Sequence, residues 1–197
     1  MDLQLNNKLV LVTGSTKGIG KAIAKNFLKY GATTIINGRS SEQVNGVIEE
    51  FSKDPSLPGK ALPLVIDVSE KGSEINVGEF ITSLGQPLEV LVNNVGIFDV
   101  KSFFEVPDEG WENYFNVNIM SAVRLSRHFM AGMLERKSGR ILIVASEAGI
   151  RTLPLMIPYS VSKSALIGFA RGLSELTKGV PGVTVNSILA GPTWTEV

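Results

Sequence analysis

The chain has no cysteine and a single histidine in 197 residues. The first absence removes disulfides, thiolate nucleophiles and Cys-ligated metals, and the second leaves a His-rich metal site or a Ser-His-Asp triad without its members. Excess charge is missing too. Nineteen Lys and Arg balance 19 Asp and Glu, so no global field draws nucleic acid or an anionic membrane. No apolar run approaches the roughly 18 residues needed to cross a bilayer, and Met1-Asp2-Leu3-Gln4-Leu5 lacks the basic-then-apolar pattern of a signal peptide. A cytoplasmic protein without nucleic-acid or membrane partners is expected. What remains is 44% hydrophobic and 19% charged, a composition that builds one globular domain over residues 1–197. Chemistry in such a chain must run on Ser, Tyr, Lys, Asn or carboxylates.

Short β-branched apolar runs alternate with longer amphipathic stretches, the pattern of βαβ units feeding a parallel sheet buried on both faces. Strands are expected over 8–13, 33–37, 61–66, 90–93, 140–145 and 183–189. Helices are expected near 18–30, 41–53, 70–85, 112–136 and 159–178, closed by breakers such as Gly31, Pro55, Gly139 and Gly179-Val180-Pro181-Gly182. Right-handed crossovers turn this order into an α/β, Rossmann-type doubly wound sheet. Its ligands belong at the carboxyl ends of the strands, near the point where the strand order reverses. No repeat, low-complexity tract or interdomain linker interrupts the pattern.

Directly after the first strand comes Thr13-Gly14-Ser15-Thr16-Lys17-Gly18-Ile19-Gly20, and a helix follows. Three glycines spaced by four and two residues let the backbone approach a pyrophosphate, whose charge then rests on the free N–H groups and dipole of the helix N-terminus. This is not the GxGxxG spacing. A carboxylate that bonds a ribose 2′-OH usually stands about 20 residues further on, at the end of the second strand. Gly38 occupies that place, followed by Arg39 and Ser40. With Lys17 in the loop, two cations and a hydroxyl can converge on a 2′-phosphate, which points to NADP(H) rather than NAD(H). The plain alternative is that both cations are ordinary solvated charges. Asp67 and Val68, after the third strand, suit an adenine contact, and Asp67 equally suits a helix cap.

Ser146 ends the fifth strand, and Tyr159-Ser160-Val161-Ser162-Lys163 opens the next helix. Tyr159 and Lys163, four apart, share one helix face, so the ammonium can sit close to the phenol. A neighbouring cation favours the phenolate and so suits a tyrosine to acid-base work. Ser146 then bonds a substrate oxygen, Tyr159 moves its proton, and hydride passes between a nicotinamide and a carbonyl carbon.

Together the glycine loop, the strand-end serine and the YxxxK pair resemble the short-chain dehydrogenase/reductase family, over essentially the whole chain. The likeness runs from TGxxxGxG at Thr13 through Asn93-Asn94-Val95-Gly96, where Val95 replaces the family's alanine, to Ala190-Gly191-Pro192-Thr193-Trp194-Thr195. The resemblance implies a catalytic tetrad of Asn118, Ser146, Tyr159 and Lys163, with Asn118 holding a water in a proton relay to the lysine. It implies cofactor contacts from Gly14, Ser15, Thr16, Lys17, Gly18, Ile19, Gly20, Arg39, Ser40, Asp67, Val68, Asn94, Gly96, Tyr159, Lys163, Ile188, Gly191, Thr193 and Thr195, the last bonding the carboxamide. It also implies a homodimer or homotetramer joined through the helices at 112–136 and 159–178. Family members continue past the position of Val197 into a substrate lid, another helix and a seventh strand, so the expectation is that a longer gene product carries those parts.

Phe98, Ile150, Leu153, Leu155, Met156 and Trp194 are candidate substrate walls, with Glu147 and Arg151 as nearby charges, and suggest a mostly apolar carbonyl or alcohol. Acyl-carrier-protein reductases of the family use two basic residues to hold the carrier. Here one matching position is Ala131 and only Lys178 lies near the other, which argues against that subclass. His128 is expected at a surface or interface. The expectation is an NADP-dependent oxidoreductase acting on CH–OH and C=O; the rival is a catalytically idle NADP-binding sensor or assembly subunit.

Overall fold

The computed structural model describes residues 3–195. Six strands, β1 (Leu9–Val12), β2 (Thr33–Gly38), β3 (Lys60–Val65), β4 (Leu88–Asn93), β5 (Gly139–Ser146) and β6 (Val183–Ala190), form one sheet in the order β3-β2-β1-β4-β5-β6. Every pairing is parallel, with Leu9 opposite Thr33 and Asn93 opposite Ile143. The order reverses between β1 and β4, and the doubly wound α/β fold read from the sequence is the fold observed.

Strand β1 shows why both faces are covered. Its alternate side chains divide between two cores. Leu9 and Leu11 pack with Ile35, Leu91, Ile141 and Ile143 beneath Val77 and Ile81 of α3 (Ser73–Ser83), Leu125 and Met133 of α5 (Ser121–Glu135), and Leu166 of α6 (Ile157–Glu175). Val10 and Val12 pack with Ile36, Val92 and Val144 beneath Ala24 and Leu28 of α1 (Gly18–Lys29) and Val47 and Phe51 of α2 (Ser41–Ser52). Among the described residues no helix is long and apolar enough to cross a membrane.

Two helical expectations change. The stretch at 70–85 begins at Ser73, because Gly72 stands ahead of it at φ 91°, a left-handed conformation that glycine adopts without strain. The single helix expected over 112–136 is α4 (Asp108–Tyr114), a π-helical turn (Phe115–Met120) and then α5. Side chains inside and beyond the turn account for the wider winding. Asn116 Nδ2 donates to the Ser69 carbonyl at 3.1 Å, its Oδ1 accepts from Arg124 at 2.8 Å, and Asn118 is tied to Ile97 and Ser162. A π-turn of this kind is a recurrent feature of functional sites.

Candidate active site

The glycine-rich loop is strung between two asparagines. Asn94 Nδ2 donates to the carbonyls of Thr13 at 2.9 Å and Gly14 at 3.1 Å. From the other side Asn37 Oδ1 accepts from Gly14 N at 3.2 Å, while its Nδ2 donates to the carbonyls of Leu64 and Ile66 at 3.1 and 2.9 Å. The Thr13 hydroxyl adds a third tie: it donates to Val92 O and accepts from the N–H groups of Asn94 and Val95. Gly14 and Gly18 take φ of 60° and 57°, and a Cβ on Gly20 would overlap the Gly14 carbonyl and the Asn94 amide. Helix α1 then opens with no side-chain cap at Lys17 and no acidic residue in its first turn, so its first N–H groups remain available to an anion.

This loop lines one end of a cleft of about 1090 Å³ along the carboxyl edge of the sheet. Gly14, Thr16, Lys17, Gly18, Ile19 and Gly20 form its wall there. Ser15 does not. It is fully buried, donating to Val12 O at 2.7 Å and accepting from Asn37 N at 2.9 Å, so its hydroxyl serves the backbone rather than a ligand.

At the end of β2, a Cβ on Gly38 would stand 2.6 Å from Thr16 Cγ2, which gives a steric reason for the absence of a carboxylate there. Arg39 lines the cleft with its side chain 80% exposed and Nη1 3.7 Å from Asp67 Oδ2. Ser40 also lines it, but its hydroxyl caps α2 by accepting from Gln43 N at 3.3 Å. Asp67 Oδ1 accepts from the N–H and hydroxyl of Ser69, bracing the turn after β3, while Val68 is buried against the same wall.

The reacting end gathers Ser146, Tyr159 and Lys163. Ser146, the last residue of β5, donates to Ala190 O at 3.3 Å and accepts from Ala148 N at 3.2 Å. Tyr159 is half-buried in the first turn of α6, with Phe98 edge-on at 6.1 Å. Lys163 is 4% exposed, and its Nζ donates to Val144 O at 2.9 Å while standing 5.6 Å from the centre of the Tyr159 ring. Burial disfavours the ammonium and pulls its pKa down to about 8.

Asn118 is not on the cleft wall. It is buried behind it, accepting from Ile97 N at 2.7 Å and donating to Ile97 O at 3.0 Å and Ser162 Oγ at 2.8 Å. The Ser162 hydroxyl in turn donates to Tyr159 O at 2.7 Å. A chain of hydrogen bonds thus joins the π-turn to the turn that carries the tyrosine. Gly96 keeps this region open, since a Cβ there would press on Lys163 Nζ at 3.3 Å.

Asn94, Gly96, Gly191, Thr193 and Thr195 line the cleft, the last facing Gly18. Of the expected substrate walls and nearby charges, Phe98, Leu153, Met156 and Glu147 line it, together with Asn113; Ile150, Leu155, Trp194 and Arg151 do not, nor does Ile188, expected as a cofactor contact. His128 is exposed, as expected, with its ring over Gly78 of α3. Asn37 and Ser162 are residues to which motif reading gives no role. The available signal for Asn37 is an amide directly after Ile35-Ile36, one residue before the end of β2.

An all-parallel sheet with a glycine loop at its switch point and Ser, Tyr and Lys at the far end of one cleft defines a nucleotide-binding oxidoreductase of Rossmann type. The family model described as short chain dehydrogenase matches residues 8–197, and the chain belongs to that family. It is 55% identical over 196 residues to the uncharacterized oxidoreductase YvrD of Bacillus subtilis, covering 100% of this chain and 72% of that protein. It is 32% identical over 191 residues to the 3-oxoacyl acyl-carrier-protein reductase FabG of Aquifex aeolicus, covering 97% and 76%. In structure it is similar to L-sorbose reductase from Gluconobacter frateurii complexed with NADPH and L-sorbose, with a TM-score of 0.92 and 30% identity over 99% of this chain and 73% of that one.

Proposed function

We propose that this chain transfers hydride between NADP(H) and a small carbonyl or alcohol substrate. The observation that carries the reading is one continuous cleft with an anion-ready glycine loop and an exposed arginine at one end and Ser146, Tyr159 and Lys163 at the other. The residues fit a dinucleotide: glycines where a Cβ would obstruct, unclaimed N–H groups at the start of α1, and Arg39 beside the place a ribose carboxylate partner usually takes.

In this reading the loop and α1 hold the pyrophosphate, Lys17 and Arg39 favour a 2′-phosphate, Asp67 and Val68 flank the adenine, and Asn94, Gly96, Gly191, Thr193 and Thr195 border the nicotinamide half. The bound cofactor supplies or accepts the hydride at the carbonyl carbon. Ser146 Oγ holds the carbonyl oxygen, and the Tyr159 hydroxyl delivers the proton that turns it into an alcohol; the reverse direction takes the proton back. Lys163 as ammonium lends positive charge to the tyrosine. Asn118 acts through Ser162 and the π-turn backbone, as a positioning residue. The same reading includes a cytoplasmic homodimer or homotetramer joined through α5 and α6.

Equilibrium titration with NADPH and NADH at one ionic strength, followed by NADPH oxidation over a panel of ketones, aldehydes and quinones, tests it. Tight NADPH, weaker NADH and steady turnover are expected. Binding without turnover of any compound would instead mark an idle NADP-binding protein.

A further inference from the structure

Glu147 is the charged residue of the reacting end that the proposed chemistry leaves without a task. It follows Ser146 directly, opens the short 3-10 turn Glu147–Gly149, and is exposed on the cleft wall. Its carbonyl accepts from the N–H groups of Ile150 and Arg151 at 2.9 and 2.8 Å, which holds the turn in place. Its carboxylate, by contrast, forms no ion pair among the described residues. The group leans over the end of β6: a Cβ on Gly191 would stand 3.3 Å from Oε2 and 3.7 Å from Oε1. Because Gly191 has no side chain, that space stays open.

A carboxylate accepts hydrogen bonds and donates none, and its bonds are stronger than those of neutral acceptors. Beyond Ser146, Tyr159 and Lys163, the side chains at this end include the apolar Phe98, Leu153 and Met156, with the amide of Asn113 and the hydroxyl of Thr193, which is spent on the Gly191 carbonyl. An anionic substrate group here would meet like charge in a largely apolar wall. A hydroxyl would find a strong acceptor. Ser146 Oγ donates to Ala190 O and the Glu147 carboxylate stands over Gly191, the next residue, so both groups face the same end of β6 and a donor taken by Glu147 belongs near the carbonyl held by Ser146 rather than at the far end of a long substrate.

From this placement we infer that Glu147 is a specificity-determining residue that selects substrates bearing a hydroxyl on the carbon beside the carbonyl, α-hydroxy ketones in one direction and vicinal diols in the other. The inference rests on the hydride-transfer reading and names the substrate class for the same site. It replaces the mostly apolar substrate that the wall residues suggest in the sequence.

The test measures NADPH oxidation with 1-hydroxy-2-butanone, 2-butanone and 2-oxobutanoate by the wild-type chain, Glu147→Gln and Glu147→Ala. Wild type is expected to favour the hydroxy ketone over 2-butanone in kcat/KM by about tenfold or more, the discrimination one charge-assisted hydrogen bond supplies. Glu147→Ala removes most of that ratio, and Glu147→Gln keeps part of it while gaining rate on 2-oxobutanoate. An unchanged ratio, or equal losses on both ketones, overturns the assignment. A second arm needs no turnover: calorimetric binding of 1,2-butanediol and 2-butanol to each protein saturated with NADP+. A diol preference that Glu147→Ala abolishes supports the subsite even if no ketone is reduced, and the failure then belongs to the hydride-transfer reading. Equal binding of diol and mono-alcohol to wild type overturns the inference whatever the turnover.

Discussion

Lys163 hangs its ammonium on the backbone carbonyl of Val144, 2.9 Å away on the neighbouring strand. One of its three donors is therefore spent on the sheet, and the others are directed by that anchor rather than by a flexible stem. No carboxylate is paired with it among the described residues, so the cation is held by geometry while burial works against its charge.

That opposition gives a signed dependence on pH. The folded-state pKa of about 8 lies below the ordinary lysine value of 10.5, so between these values the unfolded chain binds a proton that the folded chain does not. Stability contributed by this group therefore rises with pH across that window, and the cost of burying the charge is fully present below about 8. A shift of this size corresponds to roughly 3 kcal/mol. The Tm difference between Lys163→Met and wild type is expected to move in favour of wild type as the cofactor-free protein is taken from pH 7.5 towards pH 10 (~2.5 units, the span over which the group titrates). A difference that stays constant in thermal melts would exclude an uncompensated buried ammonium.

Replacing Tyr159 by Phe keeps the ring that faces Phe98 and removes only the hydroxyl. Turnover should fall by at least about 10²-fold, the usual scale of a lost acid-base group, with NADPH still bound. Retained activity within about tenfold of wild type in the same ketone assay would remove Tyr159 from the proton-transfer role.

Two glycines offer a matched pair. Gly20→Ala drives a methyl into the Gly14 carbonyl and the Asn94 amide, whereas a Cβ on Gly46, in α2, meets nothing within 4 Å. The first substitution should destabilise the fold by about 1–3 kcal/mol and weaken NADPH binding. The second should stabilise it by about 0.5–1 kcal/mol, because alanine suits a helix interior better. Urea denaturation with and without NADPH separates the two effects.

Among the described residues Arg39 is held by a loose contact to Asp67 alone, so its removal costs the fold little. Arg39→Ala is expected to weaken NADPH by about tenfold or more and to leave NADH nearly unchanged, since only the former carries a 2′-phosphate. Parallel loss of both in fluorescence titrations would show that the side chain does not distinguish the cofactors.

The sheet is legible in the sequence because a strand buried on both faces must be apolar without interruption, and Leu9-Val10-Leu11-Val12 reads so directly. The glycine loop and the Tyr-Lys pair are legible because their spacing is local. What escapes is set by distance along the chain. Asn37 completes the loop across 23 residues, and Asn118 reaches Ser162 across 44, so neither tie leaves a local pattern. The π-turn is hidden for the same reason, since hydrogen bonds to Ser69, Ile97 and Ser162 brace a segment that periodicity alone reads as one helix. Ser15 misleads in the other direction: its place in the motif suggests a ligand contact, while its hydroxyl closes the turn beneath.

The Thr13 hydroxyl bonds residues 79, 81 and 82 positions later in the chain. During synthesis the first three strands and three helices can emerge with the phosphate loop still lacking its β4 side. Only when β4 slots in beside β1 do Thr13 and Asn94 close on each other, a late, long-range step of the kind that slows folding. The ties that shape the loop are therefore complete only once the segment through Val95 is available to the first strand.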